Sequence, residues 1–251
     1  MDVLYILKKD SPELVWSLRS LAKNGRNLGR VVVAMQEGEK PAWMSDRVEF
    51  VKTPRNPRVK KGAFKHVDIL DCLVRAMEET GLGHALFSSD DHFLLRESDL
   101  DQWPWYVHGD YADRKGEDHA WYQSLAYTRE VLERHGMYFG AVSGHYNSHL
   151  LAEALPDVKS LMGPDYLDGM FGFEPAGVFA SCALARSWTP ALVDCHDVKW
   201  TSDPEFGDVS EVVEKASENT GQVSVSRLGD CPKLFKAFRE ELFPDKCVME
   251  R

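Results

Sequence analysis

Apolar positions along the first hundred residues follow two spacings, and the change between them outlines the elements. Residues 2–7 (DVLYIL) form a compact apolar run that predicts a buried strand. Ser11-Pro12-Glu13 then supplies a capping residue followed by proline at a first helical position. Leu14, Val15, Leu18, Leu21 and Ala22 recur on one helical face as far as Asn24, before Gly25. Residues 31–35 (VVVAM) and 47–51 (RVEFV) predict the second and third strands. Val67, Leu70, Leu73, Val74 and Met77 mark a helix over 63–80, stopped by Gly81 and Gly83, and Ala85-Leu86-Phe87 opens a fourth strand. Strand, helix, strand, strand, helix, strand is the order of an α/β fold with a largely parallel sheet.

The second half is less regular. The segment 101–111 (DQWPWYVHGDY) reads as an aromatic loop, and 117–135 as a helix stopped by Gly136. Turn chemistry leads into a short helix over 143–156, and a further helix fits 174–186. A strand followed by a loop fits 188–203, and helices fit 208–219 and 232–242. With no internal repeat and no Pro/Gly/Ser linker, residues 1–251 read as one domain with an elaborated C-terminal half.

Charge and cysteine content narrow the classes. A net charge of −10 repels polyanions, so a nucleic-acid partner needs a local basic patch. Residues 55–66 supply one, with Arg55, Arg58, Lys60, Lys61 and Lys65 and no acidic residue, although a solvated loop has the same composition. No run approaches the roughly 18 apolar residues of a membrane span. Five scattered cysteines without a CxxC pair argue against a zinc ribbon or disulfide framework and fit a reducing, cytoplasmic setting.

The chemistry concentrates at 84–95 (HALFSSDDHFLL), where Asp90 and Asp91 follow the fourth strand. Ligands bind at the carboxyl edge of open α/β sheets. Adjacent carboxylates disfavour one another's charge unless a cation is near. Hard Mg²⁺ or Mn²⁺ takes such oxygens and completes its shell with phosphates. The same pair also reads as one capping and one solvated carboxylate.

Several stretches carry a resemblance. SPELVWSLRSLAKNG (11–25), RVVVAMQEGEKPAWM (30–44), ALFSSDDHFLL (85–95) and YTREVLERHGMYFGAVSGHYNSHLLAEAL (127–155) are similar, in order and spacing, to segments of the Stealth family of sugar-phosphate transferases and of phage-type glycosyltransferases. The resemblance covers about residues 2–155. It implies a GT-A-like, Rossmann-like nucleotide-diphospho-sugar transferase with Mg²⁺ or Mn²⁺ on the donor's diphosphate. Residues 1–100 would hold the nucleotide sugar and 101–251 the acceptor.

On this reading Asp91 coordinates the metal, with Asp90 a second ligand or an orienting neighbour. Arg19, Lys61 and Lys65 are candidates for phosphate or nucleotide contact, and each also reads as a surface charge. His149 matches the group's histidine, as metal ligand or as acid/base, and also reads as a loop imidazole bonded to backbone. His145 would share its face if that stretch were helical, and His196 is a second candidate ligand. Asp110 and Asp113 are candidate bases for the acceptor hydroxyl. Trp103, Trp105, Tyr106 and Tyr111 read as a surface that stacks a sugar or a base, or as core. The acceptor is a glycan, a small molecule or a hydroxymethylated DNA base. Transfer of sugar-1-phosphate, or nucleotide-sugar binding without turnover, are the competing functions.

Overall fold

A computed structural model describes all residues except 114–118, 144–147, 196–198, 201–207 and 226–231. Its centre is a five-stranded sheet in the spatial order Val48–Lys52, Val31–Met35, Asp2–Leu7, His84–Ser88, Ser148–Leu151. The first four are parallel, within one residue of their predicted positions. Ser148–Leu151 closes the edge antiparallel to His84–Ser88, with His149 opposite Leu86 and Ser148 opposite Phe87.

Burial on both faces explains the apolar strands. Val32 and Ala34 pack with Leu4 and Val51 on one side, while Val31, Val33 and Met35 pack with Val3, Tyr5 and Leu7 on the other. A parallel strand covered twice has no solvent face to give a polar residue. The Pro12–Asn24 helix covers the second side through Leu14, Leu18 and Leu21. The Lys65–Thr80 helix covers the first through Val67, Leu70, Leu73 and Met77, beside the helices Leu155–Met162 and Pro175–Ala185. Gly81 ends the Lys65–Thr80 helix at φ 63°, a left-handed conformation that glycine adopts without a Cβ penalty.

From Asp2–Leu7 the chain builds outward through two strands, then crosses back to set His84–Ser88 on the opposite flank. The strand order therefore reverses between those two neighbours, and their carboxyl ends frame the crevice where such sheets take ligands.

The C-terminal half departs from expectation in three places. Residues 148–151 are a fully buried edge strand rather than turn, and the helix begins only at Leu155. The 101–111 segment is not a surface loop. Trp105–Val107 pairs with Leu192–Asp194, and Trp103, Trp105, Tyr106 and Tyr111 are all buried, because large rings gain more from core packing than they lose in freedom. An unanticipated strand, Gln222–Val225, pairs antiparallel with His92–Leu94 just after the aspartates. The remaining helices form at Ala120–Arg134, Val209–Ser217 and Pro232–Leu242 as the periodicity predicts. Among the described residues, no helix is long and apolar enough to cross a membrane, and Cys72, Cys182, Cys195 and Cys247 are free thiols.

Candidate functional site

Asp90 and Asp91 are the central residues of a tight turn between His84–Ser88 and His92–Leu94, closed by His92 N–H donating to the Ser89 carbonyl at 3.2 Å, and their side chains meet different partners. Ser88 lines a small polar void with Tyr5, Ser17 and Ser20, on the side of the Pro12–Asn24 helix. Phe87, Ser89 and Asp91 line a larger cleft of 170 Å³. Asp90 turns toward the first side, where Ser11 Oγ donates to its Oδ2 at 2.5 Å and Ser89 Oγ to its Oδ1 at 3.3 Å. Ser11 stands at the cap position before Pro12, but its hydroxyl holds Asp90 instead of its own helix. Asp91 Oδ2 accepts from Ser224 Oγ at 3.2 Å, and its Oδ1 lies 3.8 Å from His92 Nε2.

These surroundings pull the two carboxyls apart in acidity. Burial raises the pKa of Asp90, the Ser11 hydroxyl only partly opposing it, and the Asp91 charge adds to the rise. Burial works against Asp91 too, but the His92 charge and hydroxyl donors from Ser89 and Ser224 outweigh it and hold the pKa below the ordinary value. Asp91 is thus the anion of the pair that faces the cleft. Asp90 and Asp91 thus engage different partners, Ser11 and Ser89 for the first and Ser224 and His92 for the second.

Lys65, His66, Trp121, Ser148 and Glu174 join Asp91 in the cleft wall. Lys65 and His66 open the Lys65–Thr80 helix, whose N-terminus carries no side-chain cap. The positive end of the helix dipole favours an anion beside this first turn. Glu174 precedes Pro175 and caps the next helix, accepting from Ala176 N–H at 3.2 Å and Gly177 N–H at 2.6 Å. Tyr111 Oη donates to the same carboxylate at 3.3 Å. A Cβ at Gly177 would lie 1.9 Å from Tyr111 Oη and 2.5 Å from Glu174 Oε2. Gly177→Ala is therefore expected to destabilise the fold by about 1–3 kcal/mol through overpacking. Urea unfolding against Gly83→Ala, which meets nothing within 4 Å, checks this, and equal midpoints would refute it.

The other sequence candidates lie elsewhere. Arg19 has its donors engaged by Glu250 and by the carbonyls of Phe243 and Pro244. Lys61 is exposed in the loop before the Lys65–Thr80 helix and does not line the cleft. Asp110 accepts the Ala112 N–H at 2.7 Å and the Tyr138 hydroxyl, which fixes the Tyr111–Asp113 turn. Asp113 is exposed, and neither aspartate lines the cleft. His149 sits in the edge strand with one nitrogen 2.9 Å from His84 Nε2 and the other 3.0 Å from the Trp103 carbonyl, so neither nitrogen is turned to the cleft. His145 and His196 lie outside the described residues. In the basic loop, Arg55 pairs with Asp68 at 3.0 Å and Arg58 with Asp168 at 2.8 Å, so part of its charge is neutralised within the chain.

Among the described residues, no three His, Cys, Asp or Glu side chains come together as a cation site. The donor set still suits Mg²⁺ or Mn²⁺ of the kind held by one or two carboxylates and completed by substrate phosphate and water. Asp91 offers a hard anionic oxygen, and Asp90 adjoins it in the chain. Sequence comparison adds no family: no protein-family model matches the chain, and no curated protein matches it significantly.

His66, Trp121 and Glu174 were not anticipated. Glu174-Pro175 is legible afterwards as a cap followed by proline at the first helical position. The convergence of His66 and Trp121 on Asp91 depends on tertiary packing and leaves no local signal.

Proposed function

We propose that this chain is a metal-dependent glycosyltransferase of GT-A-like fold, moving a sugar from a nucleotide-diphosphate sugar to an acceptor hydroxyl. One observation carries the reading. At the carboxyl edge of a mostly parallel sheet, an ionised Asp91 shares a cleft with Lys65 and an uncapped helix N-terminus. A carboxylate alone would repel a diphosphate, while a cleft that joins it to cationic groups fits a diphosphate carried with its metal. The resemblance of residues 2–155 to sugar and sugar-phosphate transferases supports the same class.

Asp91 would hold the metal, with Asp90 orienting it, and the metal would neutralise charge on the departing diphosphate. Lys65 adds a positive charge in the cleft for the same phosphates. Trp121 and Phe87 give the wall an aromatic portion on which a ring of the donor can rest. A glycan or small-molecule acceptor is favoured over DNA, because Arg55 and Arg58 are already paired with carboxylates and the net charge is −10.

Thermal unfolding with UDP, GDP, dTDP and CDP, each with Mn²⁺ or with EDTA, tests the proposal on wild type and Asp91→Asn. One nucleotide should stabilise the wild type only with metal, by about 2.7 kcal/mol at a hundred times its dissociation constant. Asp91→Asn should lose that response while remaining folded. A wild type indifferent to all four nucleotides would remove the diphosphate site.

A further inference from the structure

We propose that the polar void beside the Asp90–Asp91 turn binds one buried water molecule, held by the Gln222 amide, which ties the Gln222–Val225 strand to the hydroxyls that clamp the turn. The void measures 10 Å³, and Tyr5, Ser17, Ser20, Ser88 and Gln222 are among the residues that line it. That is about the smallest space that holds a single water. Gln222 is 1% exposed, and among the described residues neither its Nε2 nor its Oε1 has a hydrogen-bond partner. A buried amide left in that condition is costly, so the fold must supply it with something.

Strand pairing aims the amide at the void. In the antiparallel ladder Gln222 stands opposite Leu94 and Val223 opposite Phe93. Directly opposed residues project from one face of a ladder, and the next pair along projects from the other. Phe93 and Val223 pack with Val212 and Phe238, whereas Leu94 packs with Tyr5, Leu18 and Leu21. Gln222 therefore lies on the face of Leu94, toward Tyr5 and the Pro12–Asn24 helix.

The positions of the hydroxyl protons decide what the void takes. Ser17 Oγ donates to the His92 carbonyl at 2.6 Å, so the Tyr5 hydroxyl is the donor in its 3.1 Å contact with Ser17 Oγ. Ser20 Oγ donates to the Ser17 carbonyl at 2.8 Å and accepts the Leu94 N–H at 3.0 Å. These three protons are committed, while the hydroxyl oxygens keep acceptor capacity. The occupant must accept from Gln222 Nε2–H and donate to oxygen. A metal cation offers Nε2–H no acceptor. Water does both, and buried waters typically make about three such bonds.

The site bears on Asp91 through the turn. Ser17 Oγ also lies 3.4 Å from the Ser89 carbonyl, so one hydroxyl touches both ends of the turn. From the other side, Val225 N–H donates to the Asp91 carbonyl at 2.9 Å and Ser224 Oγ to the Asp91 carboxylate at 3.2 Å. The water joins these two supports, which makes Gln222 a positioning residue for Asp91. The assignment involves no nucleotide or metal and stands apart from the transferase reading.

A crystal structure of the wild-type protein, at a resolution that shows ordered water, should place a water within hydrogen-bond distance of the Gln222 amide. A well-defined amide with no water beside it would overturn the site, whether or not any variant folds. Gln222→Met keeps the length of the side chain without its amide, and should lose the water and lower the urea midpoint. A midpoint equal to or above that of wild type would overturn the proposal, because removing a truly unpaired amide relieves its cost. Amide hydrogen exchange reads the positioning. In Gln222→Met, Val225 N–H should exchange about tenfold faster than in wild type after each rate is divided by that of Val33 in the central sheet. Equal ratios would overturn the positioning role, since a global loss of stability moves both amides together.

Discussion

Replacing Arg19 with alanine should cost the protein about 3 kcal/mol and release its C-terminal tail. Arg19 and Glu250 have side chains 10% and 5% exposed, and the contact is bidentate, with Nε to Oε1 at 2.7 Å and Nη2 to Oε2 at 2.8 Å. Nη1 donates to the Phe243 and Pro244 carbonyls at 3.1 and 3.3 Å, and the guanidinium stacks 4.2 Å over the Trp16 ring. One side chain thus ties residues 243–250 to the Pro12–Asn24 helix. Truncating it leaves the Glu250 carboxylate, whose side chain is 5% exposed, with the Cys247 N–H at 2.9 Å and the Cys247 thiol as partners in place of a cation. An unpaired buried charge costs more than the pair itself is worth, so Arg19→Met with Glu250→Met should recover most of the loss. Urea unfolding of the two single variants and the double measures this. A single-variant loss below about 1 kcal/mol would show that the tail is held by something else. Nucleotide stabilisation should persist in Arg19→Ala, because Arg19 lies outside the cleft.

The different fates of Arg19 and Lys65 show how far the sequence could be read. Both are cations beside apolar helical positions near the carboxyl ends of strands, and no local pattern distinguishes them. What decides is a residue 231 positions away in one case, Glu250, and the opposing wall of a cleft in the other. The parallel strands were legible because burial on both faces writes itself locally as runs such as VVVAM. The position of Asp91 just past a strand's carboxyl end at the sheet edge followed from the strand order. Ser148–Leu151 was not legible as a strand. Four residues with a serine and a histidine carry too little alternation, and their extended form is imposed by pairing with His84–Ser88. The aromatic run 101–111 was misread for a related reason. Trp105–Val107 gains its strand partner from Leu192–Asp194, far along the chain. Within the site, Asp90 and Asp91 lie in the turn after His84–Ser88, and their separate partners Ser11 and Ser224 are set by tertiary packing that leaves no local signal.

His149, buried in that edge strand, should make the protein lose stability between about pH 6.5 and pH 4. The Trp103 carbonyl can only accept, so His149 Nε2 carries the proton and Nδ1 accepts from His84 Nε2–H. Burial first, and then the charge of His84, push the His149 pKa down to about 4. His84 is lowered as well, by burial and then by the N-terminal amine, with Asp101 and Asp2 opposing. An unfolded chain takes up a proton at His149 near pH 6.5, whereas the native protein resists until about pH 4. The contribution is therefore complete above pH 6.5 and is lost as pH falls toward 4. At 1.36 kcal/mol per unit this amounts to roughly 3 kcal/mol, to which His84 adds in the same direction. Carboxylates elsewhere also titrate near the lower end, so wild type must be compared with His149→Gln. The difference in unfolding free energy between the two should shrink by about 3 kcal/mol from pH 7.5 to pH 4. Parallel curves would mean that the native ring takes up its proton as readily as the unfolded chain does. Protonation in the native state would force a second N–H toward His84, so parallel curves would also require the His84–His149 contact to rearrange.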